Sequence, residues 1–455
     1  MRTNVSGKKA LLYTHEGAVA VFINPVEQLR RSVMANMLWE DEFYEDGQSI
    51  AKRIQETTAE ILKQKNGADT VANIAFEART QMKLRHVPLL LLVALIQAKT
   101  KETRAVVAGA INHVIQRPDE LGELVSLYWK PKKQSLTAQM KKGLAAAFQK
   151  FDGYALGKWN ADSAAVKLRD VLFLTHAKPK DDAQAELWKK LAEKTLESPD
   201  TWEVALSAGA DKKETFTRLL AEEKLGALAL LRNLRNMQQA GVDEGAIRKA
   251  LATMKTERVL PFRFITAARY APKLEPELEA AMFKCLEGAE KLPGKTVLVV
   301  DNSGSMDYVI SAKSELKRVD AACALAMLLR EVCDEVQIVV FGSTAGLIAP
   351  RRGFALRDAI TSSEHSGGTD TALALKVAEK EGYDRCIVIT DEQSHTSVGA
   401  PAKGKKGYFI NVASNKNGVG YGKWVHVDGW SEAIVDYIAC YEQLQTDENS
   451  ATVDE

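Results

Sequence analysis

The apolar residues in the first part of the chain have helical spacing. Between Ser49 and Leu286 they recur at three- and four-residue intervals, in stretches that are a few turns long and end at glycine, proline or polar residues. Many consecutive short helices with no strand between them are typical of a bundle or of a solenoid of stacked helix pairs. No repeat is visible in the sequence itself, so the pattern leaves both architectures open. The predicted helices are Ser49–Lys65, Asp69–Lys83, Leu89–Ala98, Arg104–Gln116, Thr137–Phe151, Ser163–His176, Ala183–Thr195, Lys212–Glu222, Ala227–Ala240, Glu244–Met254, Arg258–Tyr270 and Glu277–Leu286.

The pattern changes at Pro293-Gly294, after which short apolar runs alternate with helical stretches. Apolar runs without alternation are expected for strands of a parallel sheet whose two faces are both covered by helices. The predicted elements are Thr296–Val300, Val319–Val332, Val336–Phe341, Thr371–Glu381, Cys386–Ile389, Tyr408–Val412, Trp424–Val427 and Ser431–Gln443. The sequence thus predicts a helical domain over 1–292, opened by a hairpin at Ala10–Tyr13 and Ala18–Ile23, a doubly wound α/β domain over 293–445, and an acidic tail over 446–455.

Composition and charge narrow the possible functions. The 455 residues include 46% hydrophobic and 27% charged residues with a net charge of +1, which indicates a folded multidomain protein without general basicity. The five cysteines form no CxxC pair and lie mostly in apolar stretches, which favours a reducing compartment over disulfides or zinc. Met1–Leu12 lacks the apolar core of a signal peptide, and the longest apolar run, Val87–Ile96, is too short to span a bilayer. We therefore expect a cytoplasmic protein with no membrane role.

Oxygen-bearing side chains follow the first and third predicted strands of the α/β domain. Asp301-Asn-Ser-Gly-Ser305 comes directly after one strand, and Asp391 comes after another. Ser366-Gly-Gly-Thr369-Asp opens the helix near Thr371. Ligand sites of open α/β sheets lie at the carboxyl ends of strands, and hydroxyl and carboxylate oxygens suit Mg²⁺. A DxSxS loop alone is weak evidence because these are ordinary turn residues, but together the three segments predict a divalent-cation site.

The second candidate site is a concentration of lysines between Lys130 and Lys158, a stretch with one acidic residue, Asp152. On the predicted helix over 137–151, three apolar residues share one face, and Lys142 lies on the opposite side. Outward ammonium groups and nearby aromatic rings are what phosphates and unpaired bases require. The alternative is a solvated lysine face with buried aromatic rings. The lysines are Lys130, Lys132, Lys133, Lys141, Lys142, Lys150 and Lys158; Lys167, Arg169, His176 and Lys178 follow, and the neighbouring rings are Tyr128, Trp129, Tyr154 and Trp159.

Longer stretches resemble the TROVE module of telomerase, Ro and vault proteins. The most recognisable is Ala229-Leu-Leu-Arg-Asn-Leu-Arg-Asn-Met237, and further matches lie at 139–148, 167–179, 258–264 and 85–88. The DxSxS loop, Thr369 and Asp391 resemble the metal-ion-dependent adhesion site of von Willebrand factor A domains. A TROVE module followed by such a domain resembles the Ro family.

The resemblance implies a fold and a function. The fold is an all-α HEAT-like helical-repeat ring followed by a doubly wound α/β von Willebrand factor A domain. Its hole receives single-stranded 3′ ends of misfolded RNA, its outer basic surface binds small Y RNAs, and in bacterial relatives a Y RNA can tether the ring to polynucleotide phosphorylase. The implied RNA contacts are Lys142, Lys150, Lys158, Lys167, Arg169 and His176. The implied ion, expected to be Mg²⁺, is held directly by Ser303, Ser305 and Thr369, and mainly through waters by Asp301 and Asp391.

We expect a non-catalytic protein of RNA quality control or degradation. Ser303 lacks the GxSxG frame of a nucleophile elbow, and Gly368-Thr-Asp lacks the lysine of a P-loop. The alternative is a metal-dependent interaction adaptor whose von Willebrand factor A domain captures an acidic residue of a partner. Charge reversal in the lysine segment would separate the two, because it should abolish RNA binding and leave an adaptor unaffected.

Overall fold

The structure is a computed structural model that describes residues 11–256, 259, 262–284, 291–312 and 315–451. The described residues form two compact units. One unit contains the residues up to Ala35, Trp39–Ile50 and those from 291 onward, and the other contains Asn36–Leu38 and 51–284. We refer to 11–35 together with 39–50 as the N-terminal segment.

The N-terminal segment opens with a short antiparallel hairpin of β1 (Leu12–Tyr13) and β2 (Val19–Ala20), where the sequence predicted one. Helix α1 (Pro25–Val33) follows. Asn24 caps α1 by accepting hydrogen bonds from the backbone N–H groups of Val26 and Glu27, and proline stands at the first helical position. The sequence division at 292 had placed this segment in the helical domain, but the structure groups it with the α/β unit.

The helical unit consists of consecutive helices from α2 to α16, with no strand among its described residues. Helix α4 has the composition of a helix buried on most sides, and Val87–Val93, Leu95 and Ile96 are buried in it. Thr137 caps α7 through a bond from Met140 N to its hydroxyl, at 3.2 Å. The helices are α2 (Gly47–Ile61), α3 (Gly67–Thr80), α4 (His86–Ala98), α5 (Lys101–Val114), α6 (Pro118–Trp129), α7 (Ala138–Phe148), α8 (Gly153–Trp159), α9 (Leu168–Thr175), α10 (Asp182–Glu193), α11 (Trp202–Ser207), α12 (Lys212–Ala221), α13 (Ala227–Gln239), α14 (Glu244–Thr253), α15 (Phe262–Tyr270) and α16 (Glu275–Phe283).

The α/β unit is built on a six-stranded sheet with the order β5-β4-β3-β6-β7-β8, in which β5 is antiparallel to β4 and the other neighbours are parallel. This confirms the predicted fold class. The carboxyl ends of the adjacent strands β3 and β6 bring Asp301 and Thr390 to the same edge of the sheet. The elements are β3 (Leu292–Asp301), α17 (Arg318–Val332), β4 (Cys333–Phe341), β5 (Ala345–Ile348), α18 (Gly353–Thr361), α19 (Thr371–Glu381), β6 (Arg385–Thr390), β7 (Lys406–Asn411), β8 (Val425–Asp428) and α20 (Ala433–Ala451).

The end of the chain differs from the prediction. Helix α20 continues to Ala451, into the segment that the sequence assigned to an acidic tail, and 452–455 lie outside the described residues. Cys285 and Arg258, which the sequence analysis also used, lie outside them as well. In the part of the chain that the structure describes, no helix is long and apolar enough to cross a membrane.

Candidate functional site

The predicted metal loop lies at the carboxyl end of β3. One carboxylate oxygen of Asp301, Oδ1, accepts a hydrogen bond from Ser303 N at 2.8 Å, and the other accepts one from the Thr390 hydroxyl at 2.5 Å. The Ser303 and Ser305 hydroxyl oxygens are 3.3 Å apart. Both serines and Asp301 are buried. The first predicted motif therefore forms a compact group of inward-facing oxygens.

The glycine-rich second loop is fastened beside the first loop. Gly304 N donates to Gly367 O at 2.7 Å, and Thr369 O accepts from His395 N at 3.0 Å. A Cβ on Gly342 would lie 2.4 Å from the Ser366 backbone, so glycine is needed for this close approach. The loop carrying Thr369 is thus held against the loops that follow β3 and β6.

The two carboxylates of the site repel each other. Burial, and then the negative charge of Asp391, raise the pKa of Asp301 to about 7. Arg318 Nη1 lies 3.3 Å from Asp391 Oδ2 and compensates part of this charge. Among the described residues, no group of three or more His, Cys, Asp or Glu residues is arranged to hold a metal ion. The predicted site has two carboxylates, and its other side-chain oxygens belong to hydroxyl groups. An all-oxygen set around excess negative charge fits a hard divalent cation.

Two of the predicted RNA contacts, Arg169 and His176, lie on helix α9 and directly after it. Arg169 and Phe173 have the spacing i and i+4, which places them on the same side of α9, and His176 follows the last helical residue. Phe173 is 62% exposed, and Arg169 Nε is buried without a hydrogen-bond partner among the described residues. His176 ends the helix in the left-handed conformation with φ 52° and is exposed. Helix α7, which carries the exposed Lys142, packs against α9.

The remaining predicted lysines have partners within the protein. Lys150 donates to the carbonyl oxygens of Asn112 and Ile115 at the end of α5, and burial lowers its pKa. Lys167 Nζ lies 3.2 Å from Asp162, and Lys158 lies over the Trp159 ring. Lys150 is therefore a helix-capping residue in this structure, and Arg169 Nε lies 3.8 Å from Asp170, whereas Lys142 on α7 and His176 after α9 are exposed.

The aromatic residues proposed to stack on bases are mostly unavailable. Tyr128 is 1% exposed and belongs to the core. Trp129 donates from its indole nitrogen to Gln134 O and is partly covered by Lys133, while Arg117 lies 3.5 Å from the centre of the Trp159 ring. Tyr154 remains 56% exposed. The sequence analysis missed Phe173, although its spacing from Arg169 and His176 was a readable signal.

Comparison with known proteins identifies two domains in the chain. A family model for the TROVE domain matches residues 192–293, and a model for the von Willebrand factor type A domain matches residues 296–394. The chain thus combines a TROVE domain with a von Willebrand factor type A domain, and its fold is similar to that of a bacterial Ro protein. The crystal structure of the RO (RSR) protein of Deinococcus radiodurans has the same fold, with a TM-score of 0.58 at 17% identity, over 90% of this chain and 97% of that chain.

Curated relatives match over a shorter stretch. Telomerase protein component 1 of Mus musculus is 31% identical over 110 residues, and that of Rattus norvegicus is 29% identical over 110 residues. These matches cover 23% of this chain, and the chain spans 4% of the length of either relative. The match to the von Willebrand factor A domain includes all five predicted metal ligands, whereas the TROVE match begins after α9.

The matched TROVE stretch contains a second cationic group. Burial, and then the charge of Arg232, lower the pKa of Arg263, and neither arginine has an ion pair with a carboxylate among the described residues. Arg232 lies on α13 and Arg263 on α15, which pack together. Arg235 on the same helix lies 4.9 Å from the centre of the Tyr270 ring. Uncompensated arginines beside an aromatic ring are suited to a phosphate and its base.

Proposed function

We propose that this Ro relative binds RNA through its helical unit. The observation that carries the proposal is the α9 face, where the exposed Phe173 lies one helical turn after Arg169 and three residues before the exposed His176. A base can stack on the Phe173 ring while its flanking phosphates contact Arg169 and His176. Stacking needs an unpaired base, so this face is suited to single-stranded or unpaired segments of an RNA.

The charge distribution supports a local rather than a general RNA contact. With a net charge of +1, the protein as a whole attracts RNA weakly. Lys142 has no ion pair with an acidic side chain among the described residues, whereas Lys167 is partly neutralised by Asp162. We rank Lys142 and His176 first and Arg169, whose Nε lies 3.8 Å from Asp170, next. Lys167 and Lys158 follow, and Lys150 is last.

The RNA class follows from the family. Small noncoding RNA of the Y type and single-stranded 3′ ends of misfolded RNA both offer unpaired bases next to structured elements, which is what the α9 face requires. Binding without chemistry would serve RNA quality control or degradation in the cytoplasm. In that role a ribonuclease such as polynucleotide phosphorylase would be a partner, reached through the bound RNA.

We also propose that the site at the end of β3 holds a divalent cation, Mg²⁺ by the chemistry of its oxygens. Ser303, Ser305 and Thr369 would hold the ion, with Asp301 and Asp391 balancing its charge. The bound ion would attract an acidic group. Asp301, already bonded to Ser303 N and Thr390, keeps the first loop in shape for that role.

A gel-shift titration tests the RNA proposal. A structured RNA with a single-stranded 3′ tail is compared with the same RNA trimmed blunt, over a range of salt concentrations. About five phosphate contacts to a single strand would give a log–log salt slope near about −3.5. Phe173→Ala should weaken binding of the tailed RNA by roughly tenfold, because stacking on one ring contributes about 1–3 kcal/mol, and should leave the slope unchanged. Lys142→Glu with Arg169→Glu should weaken binding and reduce the slope.

Two control variants change the same types of side chain at other positions of the helical unit. Phe76→Ala removes another exposed ring, and Lys249→Glu reverses another exposed lysine on α14. Both should bind as the unaltered protein does. Weak binding of tailed and blunt RNA alike, unaffected by the α7 and α9 changes, would contradict the proposal and favour the interaction adaptor.

A further inference from the structure

The five predicted metal ligands are almost inaccessible. Asp301 and Asp391 are 0% exposed, Thr369 is 2% exposed, and Ser303 and Ser305 are 3% exposed. A site that captures an acidic group from another protein needs an open coordination position. Residues of the N-terminal segment, which belongs to the same compact unit, lie against the rim of this site.

The β1–β2 hairpin is bonded to the loop that follows Asp391. The Thr14 hydroxyl donates to Ser394 O at 2.7 Å, and His15 N donates to the Gln393 side chain at 2.9 Å. Glu16 is the next residue, at the turn of the hairpin. These bonds hold the backbone just before Glu16 against the third loop of the predicted metal site.

Tyr44 connects Glu16 to the first loop of the site. Its hydroxyl donates to Glu16 Oε1 at 2.6 Å, and its ring stacks on His15 with centroids 4.8 Å apart. Burial, and then the bond to Glu16, raise the pKa of Tyr44, and the charge of Asp391 and a bond to Ser305 act on the same hydroxyl. The Tyr44 hydroxyl is therefore within hydrogen-bonding reach of both Glu16 and Ser305.

Glu16 differs from Glu40 and Glu42 on this rim because neither a cationic side chain nor a backbone N–H of the described residues is bonded to its carboxylate. Glu42 lies 2.6 Å from Arg318 Nη2 and also accepts from Ser414 N, at 3.0 Å. Glu40 accepts from Ser311 and from Ala312 N. Glu16 has no ion pair with a described cationic side chain and accepts a hydrogen bond from the Tyr44 hydroxyl. A cation at the site would supply the missing positive charge.

We propose that Glu16, positioned by Tyr44, is an internal acidic ligand of the metal site, so that the N-terminal segment occupies the position that a partner's carboxylate would need. The inference rests on the metal site proposed above. The cation then joins the N-terminal hairpin to the α/β unit, and an acidic partner has to displace the hairpin before it can bind.

The test measures Mn²⁺, a paramagnetic substitute for Mg²⁺, on the full chain. Electron paramagnetic resonance of free Mn²⁺ gives the affinity, and water-proton relaxation gives the number of waters on the bound ion. Glu16→Gln should weaken the affinity by about tenfold or more and increase the hydration of the ion. Tyr44→Phe should weaken it less. In Glu16→Ala, added acetate should restore the affinity, whereas acetate should have no effect on the unaltered protein.

Two control variants distinguish a failure of the Glu16 proposal from a failure of the metal-site proposal. Glu335→Gln changes an exposed acid at the start of β4, far along the strand from the site, and should bind Mn²⁺ as the unaltered protein does. Asp301→Ala should abolish binding. If Mn²⁺ binds and depends on Asp301 but is indifferent to Glu16, the metal site stands and the internal ligand is refuted. If the unaltered protein takes up no Mn²⁺, both are refuted.

Discussion

His426 is the centre of a buried charge network between the α/β sheet and helix α1. Its Nε2 lies 2.6 Å from Glu392, whose other carboxylate oxygen lies 2.6 Å from Arg31 Nη1, and its Nδ1 lies 3.5 Å from Asp428. The Tyr421 ring stacks on the imidazole with centroids 3.7 Å apart. Burial alone would lower the pKa of His426, but the two carboxylates outweigh it and raise this pKa to about 9.

The raised pKa predicts a loss of stability at alkaline pH. Because the folded pKa of about 9 exceeds the unfolded value of about 6.5, the stabilisation by His426 is complete below pH 6.5 and is lost as the pH rises through about 9. Its size is on the order of 3 kcal/mol. Urea unfolding of the α/β unit at several pH values between these limits measures it. His426→Gln should flatten this dependence, and an equally steep decline in that variant would disprove the assignment.

Single residues show where reading the sequence succeeds and fails. Asp301, Ser303 and Ser305 could be predicted because all three follow one strand, and their geometry is local. The bonds from the Lys150 ammonium to the carbonyls of Asn112 and Ile115 could not be predicted, because these carbonyls lie at the end of another helix and no spacing within the sequence indicates the contact. Phe173 was passed over because apolar residues on a helix are normally assigned to the core.

Helices and strands were predicted where the spacing of apolar residues is regular over a long stretch without interruption. Helix α6 was missed, and Gly122 in its middle is the reason. A Cβ there would lie 2.2 Å from Val166 O, so the glycine that weakens the helical pattern permits close packing against the chain before α9. The antiparallel edge strand β5 and helix α18 were also missed, because each is short and lacks clear periodicity.

Helix α1 depends on one buried ion pair for its attachment to the α/β unit. Arg31 is fully buried, and besides Glu392 it donates from Nε to Asn415 O at 2.6 Å and from Nη2 to Asn417 O at 2.9 Å. A Cβ on Gly418 would lie 1.8 Å from the Glu392 carboxylate, so a glycine is required beside the pair. The sequence gives no sign of this contact, because its partners are about 360 residues apart.

Removal of the arginine should destabilise the unit strongly. Arg31→Met leaves Glu392 buried with less compensation, and the free energy of unfolding should fall by about 3–5 kcal/mol. Arg352→Met is the matched control in the same unit, since its pair with Glu331 lies on the surface and contributes about 0–1 kcal/mol. Denaturant unfolding of both variants measures the difference. Equal losses in the two would contradict the structural role of Arg31.

At the scale of the whole molecule, the two ends of the chain build one unit. The sequence located the change from helical to α/β patterning close to where the structure has it, since β3 begins at Leu292. It could not assign the N-terminal segment, because the bonds from Thr14, Arg31 and Glu42 to the α/β unit connect residues hundreds of positions apart. Such contacts leave no period in the sequence. The α/β unit is therefore discontinuous in the chain.

Deletion of residues 1–35 tests whether the N-terminal segment belongs to the α/β unit or, as the sequence suggested, to a helical domain over 1–292. If the first 292 residues formed one domain, deleting residues 1–35 would damage the helical unit. The structure predicts the opposite, because the deletion takes Arg31 from Glu392 and Thr14 from Ser394 and leaves the cores of α3, α4 and α5 intact. Hydrogen exchange with peptide resolution should show faster exchange in β6 and β7 and unchanged protection in α4. Faster exchange in α4 with β6 unchanged would restore the division that the sequence suggested.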